Sequence, residues 1–422
     1  MLNIFLQEKY IFNYANKLEM QVIKNAFCKQ TFLYRYYNRM IDILELNTFL
    51  KMFSGNNTEK QTFSQFINNA VVRVGKNYRP LKEYVLTKNI KKEDIKTLFD
   101  HIKSRNEYLT RFYNMSLRVQ PSNYIIDGAV APMKNKQMNN NDHPLYKNFI
   151  RNIHMLNILQ NTKAGIENIP TYMDVLKDLY LRNIIDYKIL TPSALHYMNE
   201  GRLGSVFSSY YFRASIMNPY LVYSLNKSLL KGTRIFTPTL GWSSYAYGFL
   251  ECQEVVEYVG TDVIPDVCKT TAKFAKEHSP NTIIDIYCKP SEQLFKSKVF
   301  MDKYKNHFDV VFFSPPYYRL ELYEGNDQST TKYDTYEKWL DKYWSATIQL
   351  CEHVLQPGGR LCYILSGYGS DNTKDNYDLI GDMNAITKKY FTFKNKQPMY
   401  NKNVHATTHR ETNEEIVLFV KK

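Results

Sequence analysis

The second half of the sequence predicts an α/β fold with a doubly wound sheet, and the first half predicts a mainly helical region. Three segments support the sheet. An apolar run over residues 308–313 stops at two prolines, and residues 234–262 have the pattern of strand, glycine turn, helix and strand. Residues 335–366 have the pattern of helix, Pro-Gly-Gly turn and strand. Apolar strands that alternate with helices are typical of doubly wound sheets.

The first of these segments ends in the sequence Ser314-Pro315-Pro316-Tyr317. Proline fixes φ and lacks a backbone donor, so the two prolines predict a rigid turn at the end of a buried strand. Ligands of open α/β sheets usually bind at the carboxyl ends of strands. There the Ser314 hydroxyl and the Pro315 carbonyl could hold the hydrogens of an amino group on a planar ring, on which Tyr317 could stack. The alternative is a strand-end turn without chemistry.

The second segment predicts the first βαβ unit of a nucleotide-binding sheet. A strand begins at Arg234, a turn contains Gly241 and Trp242, and a second strand ends at Asp262. An acid at the end of the second strand is the usual partner of ribose hydroxyls. Further along, residues 335–354 predict a helix, residues 361–366 a strand, and residues 415–421 the final strand.

These motifs, together with residues 319–339, resemble the S-adenosylmethionine-dependent amino methyltransferases of DNA. That family methylates adenine at N6 or cytosine at N4, and the resemblance covers about residues 205–422. It implies a Rossmann-like methyltransferase sheet and S-adenosyl-L-methionine as cofactor. It assigns the catalytic turn to Ser314, Pro315, Pro316 and Tyr317, and cofactor contacts to Thr237, Gly241, Trp242, Asp262, Ser291, Glu292, Tyr211 and Asn218.

Three alternatives remain open beside DNA methylation. Similar turns occur in enzymes that methylate RNA bases and in enzymes that methylate protein glutamine. The family usually has an acid and further glycines where this chain has Thr237, Ser243 and Ser244. Such a turn is also compatible with an inactive methyltransferase-like module that binds nucleic acid or has a structural role.

The charge distribution predicts two domains with different tasks. Lys and Arg number 28 against 17 Asp and Glu in residues 1–200, and 27 against 24 in residues 201–422, so most of the net charge of +14 lies in the first half. We expect residues 1–190 to form a basic, mainly helical domain for nucleic-acid recognition and residues 205–422 to form the methyltransferase domain. The interleaved rings and guanidinium groups of residues 34–39 are candidates for nucleic-acid contacts.

The remaining composition bears on location and metals. The six cysteines show no CxxC spacing, so no metal site is expected. No run approaches the ~20 apolar residues of a membrane span, and the start of the chain lacks the pattern of a secretion signal. We therefore expect an intracellular, cytoplasmic protein with nucleic acid, most simply DNA, as its partner. The Lys-, Asn- and Tyr-rich composition is compatible with a bacterial, mobile-element or large-virus origin. The choice between adenine and cytosine, the recognition sequence and the oligomeric state are left undetermined by the sequence.

Overall fold

The computed structural model describes residues 41–55, 60–164, 170–211, 214–318, 321–323, 325, 327–366, 377–402 and 414–422. The candidate nucleic-acid contacts at residues 34–39 lie outside the described residues. Within the described ranges, no helix combines the length and apolar character that crossing a membrane requires.

The first part of the chain is mainly helical, as the sequence predicts. Residues 92–116 form two helices that meet at Ser104. A small sheet in the order β2-β1-β4 accompanies the helices. The elements are α1 (Leu46–Lys51), α2 (Phe63–Asn69), β1 (Val71–Val74), β2 (Asn77–Pro80), α3 (Leu81–Thr87), α4 (Lys92–Lys103), α5 (Arg105–Ser116), α6 (Leu145–Ile153), α7 (Met155–Asn161), β3 (Thr162–Ala164), α8 (Tyr172–Lys177), β4 (Ile184–Asp186), α9 (Pro192–Asn199) and α10 (Leu203–Tyr210).

The second part alternates strands and helices. The predicted helix over residues 335–354 is confirmed as α17 and α18, joined by the π-helical segment Leu340–Ser345. The elements are α11 (Pro219–Leu225), β5 (Arg234–Thr237), α12 (Ser244–Leu250), β6 (Glu257–Asp262), α13 (Pro265–His278), β7 (Ile283–Cys288), α14 (Ser291–Leu294), α15 (Lys298–Lys303), β8 (Phe308–Phe313), β9 (Glu321–Tyr323), α16 (Ser329–Lys332), α17 (Tyr336–Trp339), α18 (Ala346–Val354), β10 (Leu355–Ser366), α19 (Leu379–Lys388), β11 (Phe391–Met399) and β12 (Glu414–Lys421).

Seven of these strands form one sheet in the order β11-β12-β10-β8-β5-β6-β7. Neighbouring strands from β10 to β7 are parallel, and β12 runs antiparallel to both β10 and β11. The predicted strand at the end of the chain is therefore confirmed as β12. The order reverses between β5 and β8, which makes this point of the sheet a topological switch point. The predicted α/β fold with a doubly wound, Rossmann-like sheet is confirmed.

The central strand β8 shows why the apolar run predicted its position. Phe308 and residues 310–313 are buried, because helices cover both faces of a parallel sheet. Val310 and Val311 stand opposite Ile235 and Phe236 of β5, and residues 310–313 also pair with β10. The carboxyl ends of β5 and β8 therefore lie side by side.

Regular structure follows β8 in residues 321–332. Strand β9 pairs antiparallel with β3 of the first part of the chain, with Lys163 opposite Leu322, and α16 follows at Ser329–Lys332. Residues 134–142 are irregular and contain the fully buried Met138. Both segments connect the first part of the chain to the second.

Helix α6 of the first part packs directly on the helices of the sheet. Phe149 contacts the rings of Tyr247 and Phe274, with centroid distances of 5.6 and 5.5 Å. Helix α9 begins after Thr191, whose side-chain oxygen accepts the backbone N–H of Ala194. The division into two domains near residues 190–204 stays a prediction.

Candidate functional site

A cavity of about 620 Å³ lies at the carboxyl ends of the parallel strands β5 to β8. Thr239 follows β5, Asp262 ends β6, Lys289 follows β7 and Ser314 follows β8, and all four line the cavity. The volume is within the range of small-molecule and cofactor sites, about 300–1,000 Å³. The cavity therefore occupies the place where an open α/β sheet binds its ligands.

The turn after β5, which we call the glycine turn (residues 241–243), has an unusual backbone. Gly241, Trp242 and Ser243 have φ values of 51°, 58° and 70°, so three consecutive residues lie in the left-handed region. A Cβ on Gly241 would overlap the ring of Tyr245, which makes glycine necessary at this position. Strained backbone of this kind persists only where the surrounding structure holds it.

His154 and Thr271 hold the glycine turn through the hydroxyl of Ser243. The oxygen of Ser243 lies 2.7 Å from His154 Nε2 and 2.6 Å from Thr271 Oγ1. The His154 ring also packs edge-on against Trp242, with a centroid distance of 5.8 Å. Burial lowers the pKa of His154 to about 3, so the imidazole is neutral near pH 7. The glycine turn is thus anchored by a neutral side chain from the first part of the chain.

Asp262 combines a buried carboxylate with several backbone donors. Its Oδ1 accepts the N–H groups of Val263 and Ile264 at 2.8 and 3.2 Å, and its Oδ2 accepts the N–H of Leu240 at 3.1 Å. Burial raises the pKa of Asp262, although these donors act in the opposite direction. Oδ2 accepts the N–H of Leu240 and keeps room for one more hydrogen bond, because each carboxylate oxygen offers two lone pairs.

The predicted catalytic residues 314–317, here called the Ser-Pro-Pro-Tyr turn, all line the same cavity. The Ser314 N–H donates to the Tyr245 hydroxyl at 3.1 Å, and the Ser314 hydroxyl donates to the carbonyl of Ile364 at 3.2 Å. The Thr239 hydroxyl donates to the Ser314 carbonyl at 3.4 Å. With its hydrogen directed to Ile364, the Ser314 hydroxyl presents its oxygen as an acceptor.

Six of the eight predicted cofactor residues line the cavity. The hydroxyl of Ser291 pairs with Thr347 Oγ1 at 2.7 Å, and Glu292 Oε1 accepts hydrogen bonds from Lys332 and Tyr333 at 3.3 and 3.2 Å. These pairings hold α14 and α16 at the edge of the cavity. The six residues are Tyr211, Gly241, Trp242, Asp262, Ser291 and Glu292.

Tyr211 lines the cavity with its ring and directs its hydroxyl elsewhere. The hydroxyl donates to Asp186 Oδ1 at 3.0 Å, and the residue is almost completely buried. The first part of the chain therefore fixes the ring. Its contribution to the site is apolar.

The structure does not place Thr237 and Asn218 in the lining of the cavity, which corrects two of the predicted contacts. Both residues are fully buried. The Thr237 hydroxyl lies 2.8 Å from the Tyr258 hydroxyl in the protein interior. Alternate side chains of a strand point to opposite faces of the sheet, so Thr237 can end β5 without facing the cavity. Asn218 caps helix α11, with its Oδ1 accepting the N–H of Tyr220 and its amide donating to the carbonyl of Asp142. Asn218-Pro219 is the sequence signal of a helix start.

Several charged residues of the cavity were not predicted from the sequence, among them Lys147, Arg151 and Glu414. Lys147 and Arg151 come from α6, one helical turn apart, and Glu414 is the first residue of β12. Burial raises the pKa of Glu414, whose Oε1 accepts the Tyr317 hydroxyl at 3.4 Å and whose Oε2 accepts Asn401 Nδ2 at 2.8 Å. The sequence contains one signal for Lys147 and Arg151. Together with Met155 they follow one another at intervals of four residues, the spacing of neighbours on one face of a helix.

Comparisons with known proteins find similarity to solved structures. No protein-family model matches the sequence, and no curated protein sequence matches it. The N-methyltransferase NodS from Bradyrhizobium japonicum WM9, solved with S-adenosyl-L-homocysteine, is 13% identical, and the match covers 48% of this chain and 83% of NodS with a TM-score of 0.32.

Two further solved structures are similar to about half of the chain. A TehB-like SAM-dependent methyltransferase from Corynebacterium glutamicum is 13% identical, with a TM-score of 0.29, over 55% of this chain and 100% of that chain. The [4+2]-cyclase SpnF is 13% identical, with a TM-score of 0.34, over 49% of this chain and 84% of that chain. The fold class is assigned here from the strand order of the sheet itself.

Proposed function

We propose that this protein transfers a methyl group from S-adenosyl-L-methionine to the exocyclic amine of adenine or cytosine in DNA. One observation carries the proposal. The glycine turn, Asp262 and the Ser-Pro-Pro-Tyr turn line a single cavity at the switch point of the sheet. A methyl donor bound beside Gly241 and Asp262 would therefore share an enclosed space with an amine held by Ser314.

The residues of the cavity fit the cofactor. Asp262 Oδ2 has room for a ribose hydroxyl, and Val263, Ile264 and Pro290 provide apolar surface beside it. S-adenosylmethionine has no phosphate, so a single glycine in the turn is compatible with its binding, whereas dinucleotides need a dense glycine cradle. The cofactor supplies a methyl group that its sulfonium already activates. The protein therefore has to bind, orient and exclude water.

The Ser-Pro-Pro-Tyr turn can hold the acceptor amine. Ser314 Oγ and the Pro315 carbonyl oxygen are acceptors for the two N–H groups of an exocyclic amine, which localises its lone pair for attack on the methyl carbon. The Tyr317 ring provides a surface on which the base stacks, once the base is extruded from a duplex or presented in a single strand. Holding both partners in line provides most of the rate enhancement.

Glu414 is placed to receive the proton that the acceptor amine loses. The Tyr317 hydroxyl lies 3.4 Å from Ser314 Oγ on one side and 3.4 Å from Glu414 Oε1 on the other. As Ser314 Oγ takes a proton from the amine, the serine's own proton goes to the Tyr317 hydroxyl, and the tyrosine's proton goes to Glu414. A carboxylate whose pKa is raised by burial is closer to neutral pH and suits this task better than an ordinary glutamate.

DNA as the acceptor is supported by the charge distribution of the chain. Residues 1–200 have 28 Lys and Arg against 17 Asp and Glu, and their helix α6 lies over the cavity. A net positive first half that contributes a helix to the cavity favours a partner with a phosphate backbone. The finer choice between DNA and RNA requires an experiment.

A methyl-transfer assay with labelled S-adenosylmethionine tests the proposal. The acceptors are double-stranded DNA, single-stranded DNA, RNA and a glutamine-containing peptide. We expect label in DNA, and nucleoside analysis of the digest then distinguishes N6-methyladenine from N4-methylcytosine. We expect Ser314→Ala to lower the rate about 100-fold. Ser54→Ala, at an exposed serine, is the matched control.

Two results would contradict the proposal. Label in the RNA or the peptide alone would assign another acceptor. Failure of the pure protein to bind S-adenosylmethionine in a calorimetric titration would indicate a methyltransferase-like module without catalytic function.

A further inference from the structure

Lys147 is a buried lysine in the lining of the cavity. It is 4% exposed, although lysines are rarely buried to this extent unless they are paired with an anion. One of the three ammonium hydrogens goes to Asn141 Oδ1 at 3.1 Å. Burial, and secondly the charge of Arg151, lower the pKa of Lys147 to about 7. Keeping this charge in the cavity is therefore costly unless an anion lies beside it.

Arg151 adds a second positive charge on the same face of α6. It lies one turn after Lys147 and lines the same cavity. Residues at this spacing are neighbours on a helix, and their like charges repel. Two cations that line one cavity create a local field that favours a negatively charged ligand.

The position of Glu414 shows at which end of the cavity Lys147 lies. Glu414 stands opposite Ser366 at the edge of the sheet, and its charge raises the pKa of Lys147. In the strand order, β12 lies two places from β8, which ends before Ser314, and four places from β6, which ends at Asp262. Neighbouring strands lie about 4.8 Å apart, so β12 is roughly 10 Å from β8 and roughly 19 Å from β6. Lys147 is therefore on the acceptor side of Ser314, away from Asp262.

We propose that Lys147 and Arg151 form an anion-binding subsite that holds a phosphate group of the methyl acceptor. This inference rests on the proposed function and specifies its substrate class, since it requires a nucleotide rather than a free nucleoside or a glutamine side chain. Arginine binds phosphate oxygens through a planar fork of N–H groups, and lysine binds them as a point charge. The phosphate lies beside both cations while the base of the same nucleotide reaches Tyr317.

Equilibrium binding of four small probes tests the subsite in the full chain. The probes are deoxyadenosine monophosphate, deoxycytidine monophosphate and the two corresponding nucleosides, at about 50 mM salt, where phosphate contacts are strong. We expect the monophosphates to bind at least about tenfold more tightly than the nucleosides. The difference in affinity between monophosphates and nucleosides should disappear in Lys147→Met and become smaller in Arg151→Gln. Methionine resembles lysine in length and removes a buried charge, so the fold should be retained.

Matched controls use exposed residues of the same type. Lys92→Met, in the first turn of α4, and Arg111→Gln, in α5, should keep the full difference between monophosphates and nucleosides. The subsite is refuted if the wild-type protein binds monophosphate and nucleoside equally. It is also refuted if inorganic phosphate competes as well as the monophosphates do, because the site would then serve free phosphate.

Binding of S-adenosylhomocysteine separates the subsite from the proposed function. If Lys147→Met weakens this ligand and leaves nucleotide binding unchanged, the lysine serves the carboxylate of the cofactor and the inference is wrong. If the wild-type protein fails to bind S-adenosylmethionine but retains the preference for monophosphates, the methyltransferase proposal fails and the anion subsite stands.

Discussion

The hydroxyl of Tyr245 accepts the backbone N–H of Ser314 at 3.1 Å. Tyr245 belongs to α12, which follows the glycine turn, whereas Ser314 follows β8. The Tyr245 ring also fills the space that a Cβ on Gly241 would need, and it packs edge-on against Phe312 at a centroid distance of 5.1 Å. One side chain therefore sets the position of the Ser-Pro-Pro-Tyr turn relative to the glycine turn.

Tyr245→Phe tests this relationship directly. The substitution keeps the ring and removes the acceptor of the Ser314 N–H, which costs about 1–3 kcal/mol when a buried group is left unpaired. We expect a methyl-transfer kcat about tenfold lower and a cofactor affinity changed by less than about threefold, because the displaced group is on the acceptor side. Tyr78→Phe, at an exposed tyrosine of β2, is the control. A kcat equal to that of the wild-type protein would show that Tyr245 does not position Ser314.

Gly241→Ala tests whether the glycine turn needs glycine for its conformation or for space. At a φ of 51° an added methyl group costs about 1 kcal/mol, and overlap with the Tyr245 ring adds to this cost. We expect a loss of about 3 kcal/mol in the free energy of unfolding, measured by denaturant titration, together with loss of S-adenosylmethionine binding.

Gly128→Ala is the matched control for Gly241→Ala. Gly128 has a φ of 74° and nothing within 4 Å of its added Cβ, so only the conformational cost of about 1 kcal/mol applies. Equal destabilisation of the two variants would mean that the overlap with Tyr245 relaxes without cost.

Local patterns in the sequence predicted the central part of the sheet and its two turns. Residues 308–313 form a nearly continuous apolar run because β8 is buried on both faces, and the prolines that follow mark the end of the strand. Asp262 was predictable because it ends a short apolar strand after a glycine turn and a helix. In these cases the chemical signal and the element that carries it are adjacent in sequence.

The parts that the sequence did not predict depend on distant contacts or on ambiguous local patterns. Lys147 and Glu414 line the same cavity and interact electrostatically, although 267 positions separate them in the sequence. Strand β11 lies at the edge of the sheet, where exposed polar residues and a proline such as Pro398 are tolerated. Its sequence therefore lacks the apolar pattern that would have predicted a strand. Asn218 has the chemistry of a binding residue and acts as a helix cap, and only the packing distinguishes the two roles.

Glu414→Gln tests the transfer of the proton from the acceptor amine. Burial raises the pKa of Glu414, so the wild-type rate should fall as the pH drops through that pKa and the carboxylate becomes protonated. Glutamine keeps the shape and cannot take a proton. We expect a rate about tenfold lower near neutral pH and the loss of this acidic limb in the pH profile. Glu337→Gln, at an exposed glutamate in α17, should leave the profile unchanged. An acidic limb that persists in Glu414→Gln would assign it to another group.

Lys147→Met should stabilise the protein at neutral pH while it weakens the binding of the acceptor. The pKa of Lys147 is lowered from 10.5 to about 7, so between these values the unfolded chain binds a proton here that the folded chain does not bind. The free energy of unfolding of the wild-type protein therefore gains up to about 1.4 kcal/mol per pH unit from this group as the pH rises from 7 to 10.5, and loses this contribution as the pH falls. Methionine does not titrate, so Lys147→Met removes this dependence of the free energy of unfolding on pH. Denaturant titrations between pH 7.5 and 9.5 should show the variant more stable, with an advantage that narrows as the pH rises. A constant advantage would contradict the lowered pKa, and Lys92→Met, at an exposed lysine, should show no such trend.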